Sequence, residues 1–448
     1  SCGPTVYDYL HIGNARTYLV FDAFVRWLRS RGIKVSYLQN ITDIDDKIIA
    51  RAKEEEVSPK AIADKFSKIY FENMEALGIK SVDEYAPATK FIKEIVLQVK
   101  TLIDKGFAYK IEGDGYYFDI SRFSDYGKLA RRTIEAAEDA LTRIDESVRK
   151  RNKGDFCLWK LYDGDPSWDT ELGKGRPGWH IEDTAISEKH FGPQYDIHGG
   201  GIDLKFPHHE AEIAQQESAS GKKPFVKIWM HTGILLVDEK KMSKSLGNFI
   251  SIEGFLKKHR AHVLRFLVLS HHYRSPINYS EKLAKEAGGA FSDIAEFLAI
   301  LKTVTGGGKK ICPDIDNMQK QFRDALEDDF NTPKALAAIF EFMHLVHQKL
   351  HEMHKSCAEE ADKVIQKQLK SLGLPIPREM PKETERLAEE YAKFRSNKQF
   401  MQSDGLRKTM EGLGWRGMDM ESGTAWSDSS LDDIRFAQPT DGSGGEEK

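Results

Sequence analysis

The chain has 448 residues, of which 40% are hydrophobic and 30% charged, and its formal net charge is -4. These values predict a soluble globular protein of two to four domains and exclude a strongly basic nucleic-acid coat protein, so any nucleic-acid contact would come from local patches. Four widely spaced cysteines argue against a disulfide framework, and no apolar run is long enough to span a membrane, so we expect a cytoplasmic protein.

Residues 1–95 predict the first half of a Rossmann-type α/β domain. The polar loop His11–Asn14 runs into a segment of helical periodicity, Ala15–Arg31, and Val35–Gln39 follows as a strand. A strand, a helix and a strand in this order form a right-handed parallel unit. Ligands collect at the carboxyl ends of such strands, where we expect the helix start and Thr42 to lie.

Residues 96–185 predict an inserted subdomain, and residues 186–250 predict the second half of the catalytic domain. Within the insertion, Phe107–Ile120 has the pattern of a β-hairpin, whereas the densely charged segment Glu135–Lys153 is expected to be a mobile surface segment. The second half ends in the basic loop Lys240–Asn248, whose composition suits a polyphosphate.

The C-terminal part predicts α-helices. Residues 251–374 read as a helical bundle, and residues 375–426 as a linker followed by two helices. The polar tail, residues 427–448, is predicted to be disordered. At the other end, the chain begins inside its first motif, so we expect residues to precede Ser1.

One short stretch indicates a metal site. On a helix that begins near Pro207, His208 and Glu212 are four residues apart and project from the same face, where both can reach one ion. The stretch follows Tyr195–Asp203, which has the pattern of a buried strand that ends in a glycine turn. The sequence therefore predicts a metal ion beside a nucleotide.

The order of the motifs resembles that of the class I aminoacyl-tRNA synthetases, and in particular that of the cysteinyl-tRNA synthetase family. The general class is indicated by His11–Asn14 together with Lys241–Ser245. The resemblance extends from Cys2 to about Trp426. The stretches similar to the cysteine-specific family are Cys2–Asp8, Asn40–Lys47, Gly178–Glu182, His198–Asp203 and Phe206–Glu212.

The resemblance implies a reaction in two steps: the carboxylate of L-cysteine attacks the α-phosphate of Mg²⁺-bound ATP to give cysteinyl-adenylate, and the tRNA then takes the cysteinyl group. No protein nucleophile is needed, because catalysis consists of positioning and charge neutralisation. The implied catalytic residues are His11, Asn14, Lys241 and Lys244. Because Asn14 stands where the family usually has a second histidine, we expect it to contribute less than His11.

The resemblance also implies one zinc ion, which selects the substrate by its thiol because a hydroxyl is a poorer ligand for this metal. Carried over by position, the ligands are Cys2, Asp183, His208 and Glu212. Asp183 replaces the usual second cysteine, in a form that resembles archaeal-type members. The formal charge of the site is unchanged by this replacement, although a carboxylate oxygen is a harder metal ligand than a thiolate sulfur.

The remaining implied contacts involve nucleotide, amino acid and tRNA. His198, Gly201 and Asp203 would hold adenosine, and His11, Asn14 and Lys244 would complete the ATP-binding site. Thr42 would bind the substrate amino group, and Trp179 would form an aromatic wall. The implied contacts to tRNA(Cys) are Arg395, Phe400 and Asp404. An ordinary amphipathic helix with Phe400 turned inward remains an equal alternative.

Three other functions were weighed against this one. A cysteine ligase for an amino sugar derivative would share the catalytic core but would lack the long helical end, and a non-catalytic tRNA-binding relative would have lost Lys244, His11 or a metal ligand. A general metallohydrolase is disfavoured because no His-Glu-x-x-His pattern is present. We expect a monomer whose other cysteines, Cys157, Cys312 and Cys357, are inert packing residues.

Overall fold

The structure is a computed structural model that describes residues 1–132, 149–243, 246–305, 312–420 and 423–432. These residues divide into two compact units, the first formed by Ser1–Leu235, Lys241–Ile252 and Arg274–Pro276, and the second by the remaining described residues. Of the predicted mobile segment, residues 135–148 lie outside the described part of the chain. No helix in the described ranges has the length and apolar character needed to cross a bilayer.

Parallel strand pairs form the nucleotide-fold part of the first unit. Strand β1 pairs in parallel with β2, and β7 pairs in parallel with β8, as the predicted βαβ pattern requires. The elements of this part are helices α1 (Ile12–Ser30), α2 (Asp46–Glu54) and α3 (Pro59–Ala76) and strands β1 (Leu38–Ile41), β2 (Glu84–Pro87), β7 (Tyr195–Gly201) and β8 (Val226–Thr232).

The first residues of the chain lie between these two strand pairs. The N-terminal amino group of Ser1 donates to the carbonyl of Leu38 on β1, at 3.0 Å. The backbone N–H of Cys2 donates to the carbonyl of Gly199 on β7, also at 3.0 Å. The N-terminal segment thereby places the side chain of Cys2 at the centre of the unit. The residues that it meets there, such as Gly199, lie about two hundred residues later in the chain.

The predicted insertion contains a four-stranded antiparallel sheet, and the predicted hairpin Phe107–Ile120 is confirmed as strands β3 and β4. Stacked rings pack its core, with 5.0 Å between the ring centroids of Phe118 and Phe156. The elements from the insertion to the predicted metal-binding stretch are α4 (Ile92–Asp104), β3 (Ala108–Ile111), β4 (Gly115–Phe118), β5 (Phe156–Leu161), β6 (Gly175–Pro177), α5 (Ile181–Phe191) and α6 (Glu210–Ser220).

The second unit is mainly helical, as predicted for the C-terminal part. Its helices and those at its boundary are Ile252–Leu256, Ala261–Leu269, Glu281–Leu301, Ile315–Glu327, Thr332–Lys349, Lys355–Ser371, Lys382–Ser396 and Phe400–Gly412. Its strands and those at its boundary are β9 (Leu235–Val237), β10 (Lys240–Lys241), β11 (Ile277–Tyr279), β12 (Trp415–Met420) and β13 (Gly423–Asp428).

The predicted disordered tail begins too early. Strands β12 and β13 pair as an antiparallel hairpin, so Ser427 and Asp428 are ordered and buried. The carboxylate of Asp428 accepts the backbone N–H of Arg378 and forms an ion pair with its side chain, at 3.0 Å from Nε. This specific partner, which composition does not reveal, explains why a polar segment is folded. Residues 433–448 lie outside the described residues.

The expectation that Cys312 and Cys357 are inert packing residues is wrong. The two residues form a disulfide across 45 residues of the helical unit, with 5.3 Å between their Cα atoms. Cysteine number and spacing do not reveal this pair, because the packing of the helices between them brings the two side chains together. Cys157 is buried and forms no disulfide, and its role as an inert packing residue stays a prediction.

A buried carboxylate holds the insertion together. Asp155 accepts hydrogen bonds from the hydroxyl of Tyr109 at 2.7 Å, the backbone N–H of Ile120 at 3.0 Å, and both the backbone and side-chain N–H groups of Asn152 at 3.0 Å. Because Asp155 is only 2% exposed, these donors have no water to replace it.

We expect Asp155→Ala to destabilise the insertion by roughly 2–4 kcal/mol, since several buried donors lose their acceptor. Hydrogen exchange read by mass spectrometry should show faster exchange at Ile120, while the exposed control Asp169→Ala leaves that amide unchanged. Equal protection of the Ile120 amide in both variants would contradict this role of Asp155.

Candidate active site

One cavity of about 440 Å³ in the first unit contains most of the predicted site residues. The predicted residues that line it are Cys2, His11, Asn14, Thr42, Trp179, Asp183, Gly201, Asp203, His208 and Lys241. Lys244 lies outside the described residues. His198 and Glu212 are not among the lining residues, and both are buried behind the cavity wall.

Helix α1 begins at one side of this cavity with a reciprocal cap. Nδ1 of His11 accepts the backbone N–H of Asn14 at 3.2 Å, and Oδ1 of Asn14 accepts the backbone N–H of His11 at 3.1 Å. Burial lowers the pKa of His11. With Nδ1 acting as an acceptor, the neutral ring carries its proton on Nε2, which can donate to a phosphate at the helix N-terminus.

Two opposite charges lie at the rim of the same cavity. Nζ of Lys241 is 3.9 Å from Oδ2 of Asp203, and both side chains are largely exposed. An exposed pair of this kind contributes little to stability. Both groups can therefore turn towards a ligand, the lysine to a phosphate and the carboxylate to ribose hydroxyls.

The four predicted zinc ligands converge next to the cavity, where Cys2, Asp183 and His208 line the wall and Glu212 lies behind it. One donor atom from each of Cys2, Asp183, His208 and Glu212 lies within 4.8 Å of all the others, and all four residues are buried. Nε2 of His208 is 2.9 Å from Oδ2 of Asp183 and 3.0 Å from Oε1 of Glu212, and Sγ of Cys2 is 3.7 Å from the same Oε1. These side chains come from the N-terminal segment, α5, the helical turn Lys205–His209 and the first turn of α6.

The crowding of acidic groups changes their ionisation. Burial, together with the charges of Asp183 and Glu212, raises the pKa of the Cys2 thiol, and burial raises the pKa of Glu212 to about 7. Burial alone would lower the pKa of His208, but hydrogen bonds to Asp183, Cys2 and Glu212 raise it instead. A cation at this point would stabilise the anionic forms of Cys2, Asp183 and Glu212.

Four histidines and a tyrosine surround the cluster, and the sequence analysis assigned none of them a role at the metal. They are His180, His198, His209, His231 and Tyr195. Burial lowers the pKa of His180, His198 and His209, and it lowers the pKa of His231 to about 4. His180 contacts His208, with 2.7 Å between their Nδ1 atoms, and so fixes the orientation of that ring. The sequence signal that could have identified His209 is its position directly after His208 in the run Phe206-Pro207-His208-His209, and both histidines are buried.

His198 lies apart from the other two residues that are predicted to hold adenosine. Its Nε2 lies 3.2 Å from Sγ of Cys2, and its ring is buried, whereas Gly201 and Asp203 line the cavity. Residues 198 and 201 are three apart on strand β7, and alternation places them on opposite faces. The roles of His198, Gly201 and Asp203 at the nucleotide therefore all stay predictions, with His198 placed beside Cys2 and the other two in the cavity lining.

Thr42 lines the cavity beside Cys2, but its hydroxyl is already engaged. It donates to the carboxylate of Glu182, a buried residue next to Asp183. Burial raises the pKa of Glu182 well above its usual range. The Thr42 oxygen also accepts a long hydrogen bond from Nδ2 of Asn40 at 3.5 Å, which leaves one lone pair for a donor in the cavity, such as an ammonium group.

Comparison with known proteins identifies the group to which the chain belongs. The description "tRNA synthetases class I (C) catalytic domain" matches residues 1–288, and "DALR domain" matches residues 321–376. The chain belongs to the class I cysteine–tRNA ligase family. It is 42% identical over 436 residues to Cysteine–tRNA ligase of Thermoplasma volcanium, covering 95% of this chain and 94% of that protein. Over 347 residues it is 46% identical to the ligase of Carboxydothermus hydrogenoformans, covering 76% and 74%.

Solved structures of class I synthetases share the fold at low sequence identity. The Agrobacterium radiobacter K84 agnB2 LeuRS in complex with tRNA and LeuAMS superimposes with a TM-score of 0.61 at 12% identity, covering 83% of this chain and 82% of that one. Mycobacterium tuberculosis methionyl-tRNA synthetase bound to methionyl-adenylate gives 0.57 at 15% identity, covering 83% and 88%. These similarities concern the fold alone.

The tRNA-contact residues predicted for this cysteine–tRNA ligase family member lie in the second unit, after the matched DALR residues. Phe400 is 53% exposed, so the alternative in which it turns inward is wrong. The guanidinium of Arg395 lies over its ring, 5.4 Å from the centroid, and also pairs with Asp419. Asp404 is exposed on the same helix as Phe400.

The raised pKa of Glu212 makes a prediction about the metal-free protein. The folded state holds a proton on Glu212 between its usual pKa of 4.5 and about 7, whereas the unfolded state has released it. The folded state therefore binds more protons in this window, and stability falls as the pH rises through it, by at most about 3 kcal/mol.

Urea unfolding in a chelator at pH 5 and pH 8, followed by tryptophan fluorescence, measures this loss. We expect Glu212→Gln to flatten the pH dependence, because an amide does not titrate. The exposed control Glu171→Gln should behave like the unaltered chain. A steep loss that persists in Glu212→Gln would assign the effect to another group.

Proposed function

We propose that the chain joins L-cysteine to tRNA(Cys) through cysteinyl-adenylate, using Mg²⁺-bound ATP, and that a zinc ion selects the substrate by its thiol. The observation that carries this proposal is that one cavity is lined both by the capped helix start and by the cluster of buried metal-type ligands. Membership in the cysteine–tRNA ligase family supports the same reaction.

The residues present fit a zinc ion. Cys2, Asp183, His208 and Glu212 offer sulfur, nitrogen and oxygen donors of the types that zinc prefers. Oε2 of Glu212 is fully buried without a hydrogen-bond partner, which is costly unless a cation or a proton compensates it. When bound, zinc supplies a Lewis acid that prefers a thiolate to a hydroxyl, which separates cysteine from serine.

The chain's own residues then position the substrates. Thr42, with its proton directed to Glu182, accepts from the ammonium group, and Trp179 covers the same space from the insertion side. Nε2–H of His11 and the side chain of Asn14 donate to the phosphates, while Lys241, with Lys244 of the same loop, neutralises the charge that grows on them in the transition state. Gly201 and Asp203 hold the ribose.

The main alternative, an amino sugar ligase, is disfavoured by the C-terminal half. The match to a DALR domain covers residues 321–376, and two further helices and a hairpin follow it. Exposed Phe400 beside Arg395 offers an aromatic face and a cation, the combination that single-stranded RNA bases prefer. An amino sugar substrate needs neither feature.

We expect Asp183→Asn to lose zinc and to lower kcat/KM for cysteine in ATP–pyrophosphate exchange by at least about 10-fold, since an amide neither carries the charge nor binds zinc well. Asp183→Cys, which restores the charge, should retain the metal. The exposed Asp196→Asn on β7 serves as the control. Full zinc content and full activity in Asp183→Asn would remove Asp183 from the ligand set.

We expect Phe400→Ala and Asp404→Ala to raise the KM for tRNA in the charging assay. For Phe400→Ala the increase should be roughly 10-fold or more, since one stacked base contributes about 1–3 kcal/mol. Cysteine-dependent ATP–pyrophosphate exchange, which needs no tRNA, should stay unchanged. Leu345→Ala removes another exposed apolar side chain from the same unit and should change neither assay. Equal losses in both assays would refute the assignment.

A further inference from the structure

The cluster contains a second set of metal ligands that the zinc site described above does not use. One donor atom from each of Cys2, His198, His209 and Glu212 lies within 4.8 Å of all the others, and all four residues are buried. Sγ of Cys2 is 3.2 Å from Nε2 of His198 and 3.2 Å from Nε2 of His209. We propose that these four residues form a second position for a zinc-like divalent ion, behind the first.

Both histidines are oriented as metal ligands usually are. The hydroxyl of Tyr195 is 2.5 Å from Nδ1 of His198, and Nε2 of His231 is 2.8 Å from Nδ1 of His209. In each ring one nitrogen is thus held by an outer partner while the other is directed at the sulfur. Partners of this kind fix the ring orientation of metal-bound histidines.

Glu212 connects the two positions through its two oxygens. Oε1 is 3.0 Å from Nε2 of His208, on the side of the first position, whereas Oε2 is 3.2 Å from Nε2 of His198, on the side of the second. Oε2 is the fully buried oxygen that has no hydrogen-bond partner. A carboxylate placed in this way, together with the shared sulfur of Cys2, can bridge two ions.

The charges of the two sets determine the order of binding. The first set has Cys2, Glu212 and the carboxylate of Asp183, whereas the second adds only neutral imidazoles to the two shared anions. An ion therefore prefers the first position, and a second ion binds more weakly because it is repelled by the first. The imidazole donors favour Zn²⁺ over Mg²⁺.

The second position is separated from the substrate. Cys2, Asp183 and His208 line the large cavity, but His198, His209 and Glu212 do not. An ion at the second position would therefore touch no substrate atom. It would act through Cys2, since a thiolate shared by two cations donates less electron density to each, and the first ion would then attract the substrate thiolate more strongly.

This inference rests on the proposed function, and zinc stoichiometry separates the two. The full chain, stripped of metal, is titrated with Zn²⁺ against a chromophoric chelator, and its metal content is then measured. We expect two ions per chain, with the second bound more weakly. His198→Gln and His209→Gln should each retain only the tighter ion, whereas His208→Gln should lose the tighter one. His190→Gln, at the end of α5, is the control and should bind two.

Circular dichroism establishes that each variant is folded, and His198→Gln decides the question if His209→Gln does not fold. A limit of one ion in the unaltered chain, lost in His208→Gln, would overturn the second position and leave the proposed function intact. No bound ion at all would overturn both. Two ions in His198→Gln and His209→Gln would place the second ion elsewhere and so overturn the inference.

Discussion

The site depends on the hydrogen bonds that hold the first residues of the chain between β1 and β7. The hydrogen bond from the backbone of Cys2 to Gly199 brings the Cys2 sulfur to ligands that lie about two hundred residues later in the chain. The approach is close enough to require glycine, since a Cβ atom on Gly3 would lie 1.7 Å from the carbonyl oxygen of Asn40, and one on Gly199 would lie 1.8 Å from that of Met230. The backbone thus determines where the metal chemistry can occur.

The same packing buries an excess of acidic groups. Asp183, Glu212 and the thiol of Cys2 meet with little water, and the imidazole of His208 is the nearest compensating group. Burial of unpaired charge costs far more than exposed ion pairs return, so the polypeptide alone is poorly balanced at this point. A divalent ion would restore the balance, and the stability of the first unit would then be coupled to the proposed ligand.

Local patterns sufficed for the parts of the molecule whose structure is set by neighbours in sequence. The hairpin β3–β4 follows from its turn residues and alternation, and the contact of His208 with Glu212 follows from helical spacing. The zinc ligands Cys2 and Asp183 came only from resemblance, because no spacing rule connects residues so far apart. Alternation on β7 was a signal that could have separated His198 from Gly201.

The features that the sequence did not predict are all long-range. The disulfide between Cys312 and Cys357 depends on helix packing, and the hairpin β12–β13 depends on Asp428 meeting Arg378. Polar composition indicates disorder only while no partner is known, and that partner lies 50 residues earlier in the chain. Composition likewise gave no sign that the imidazoles of His198 and His209 lie beside Cys2.

The arrangement explains how a small substrate can be both selected and activated in one cavity. Cys2, Asp183 and His208 line the same cavity as Lys241 and as His11, which caps the start of α1. Under the proposed function, a cysteine held by its sulfur and by Thr42 would have few remaining rotations, so its carboxylate would be confined near the capped helix start. Serine, which the metal binds poorly, would lack the first of these anchors and with it the entropic advantage of being held in place. Selection and catalysis thus draw on the same contact, so a weaker metal–sulfur interaction should lower the rate of activation as well as the affinity for cysteine.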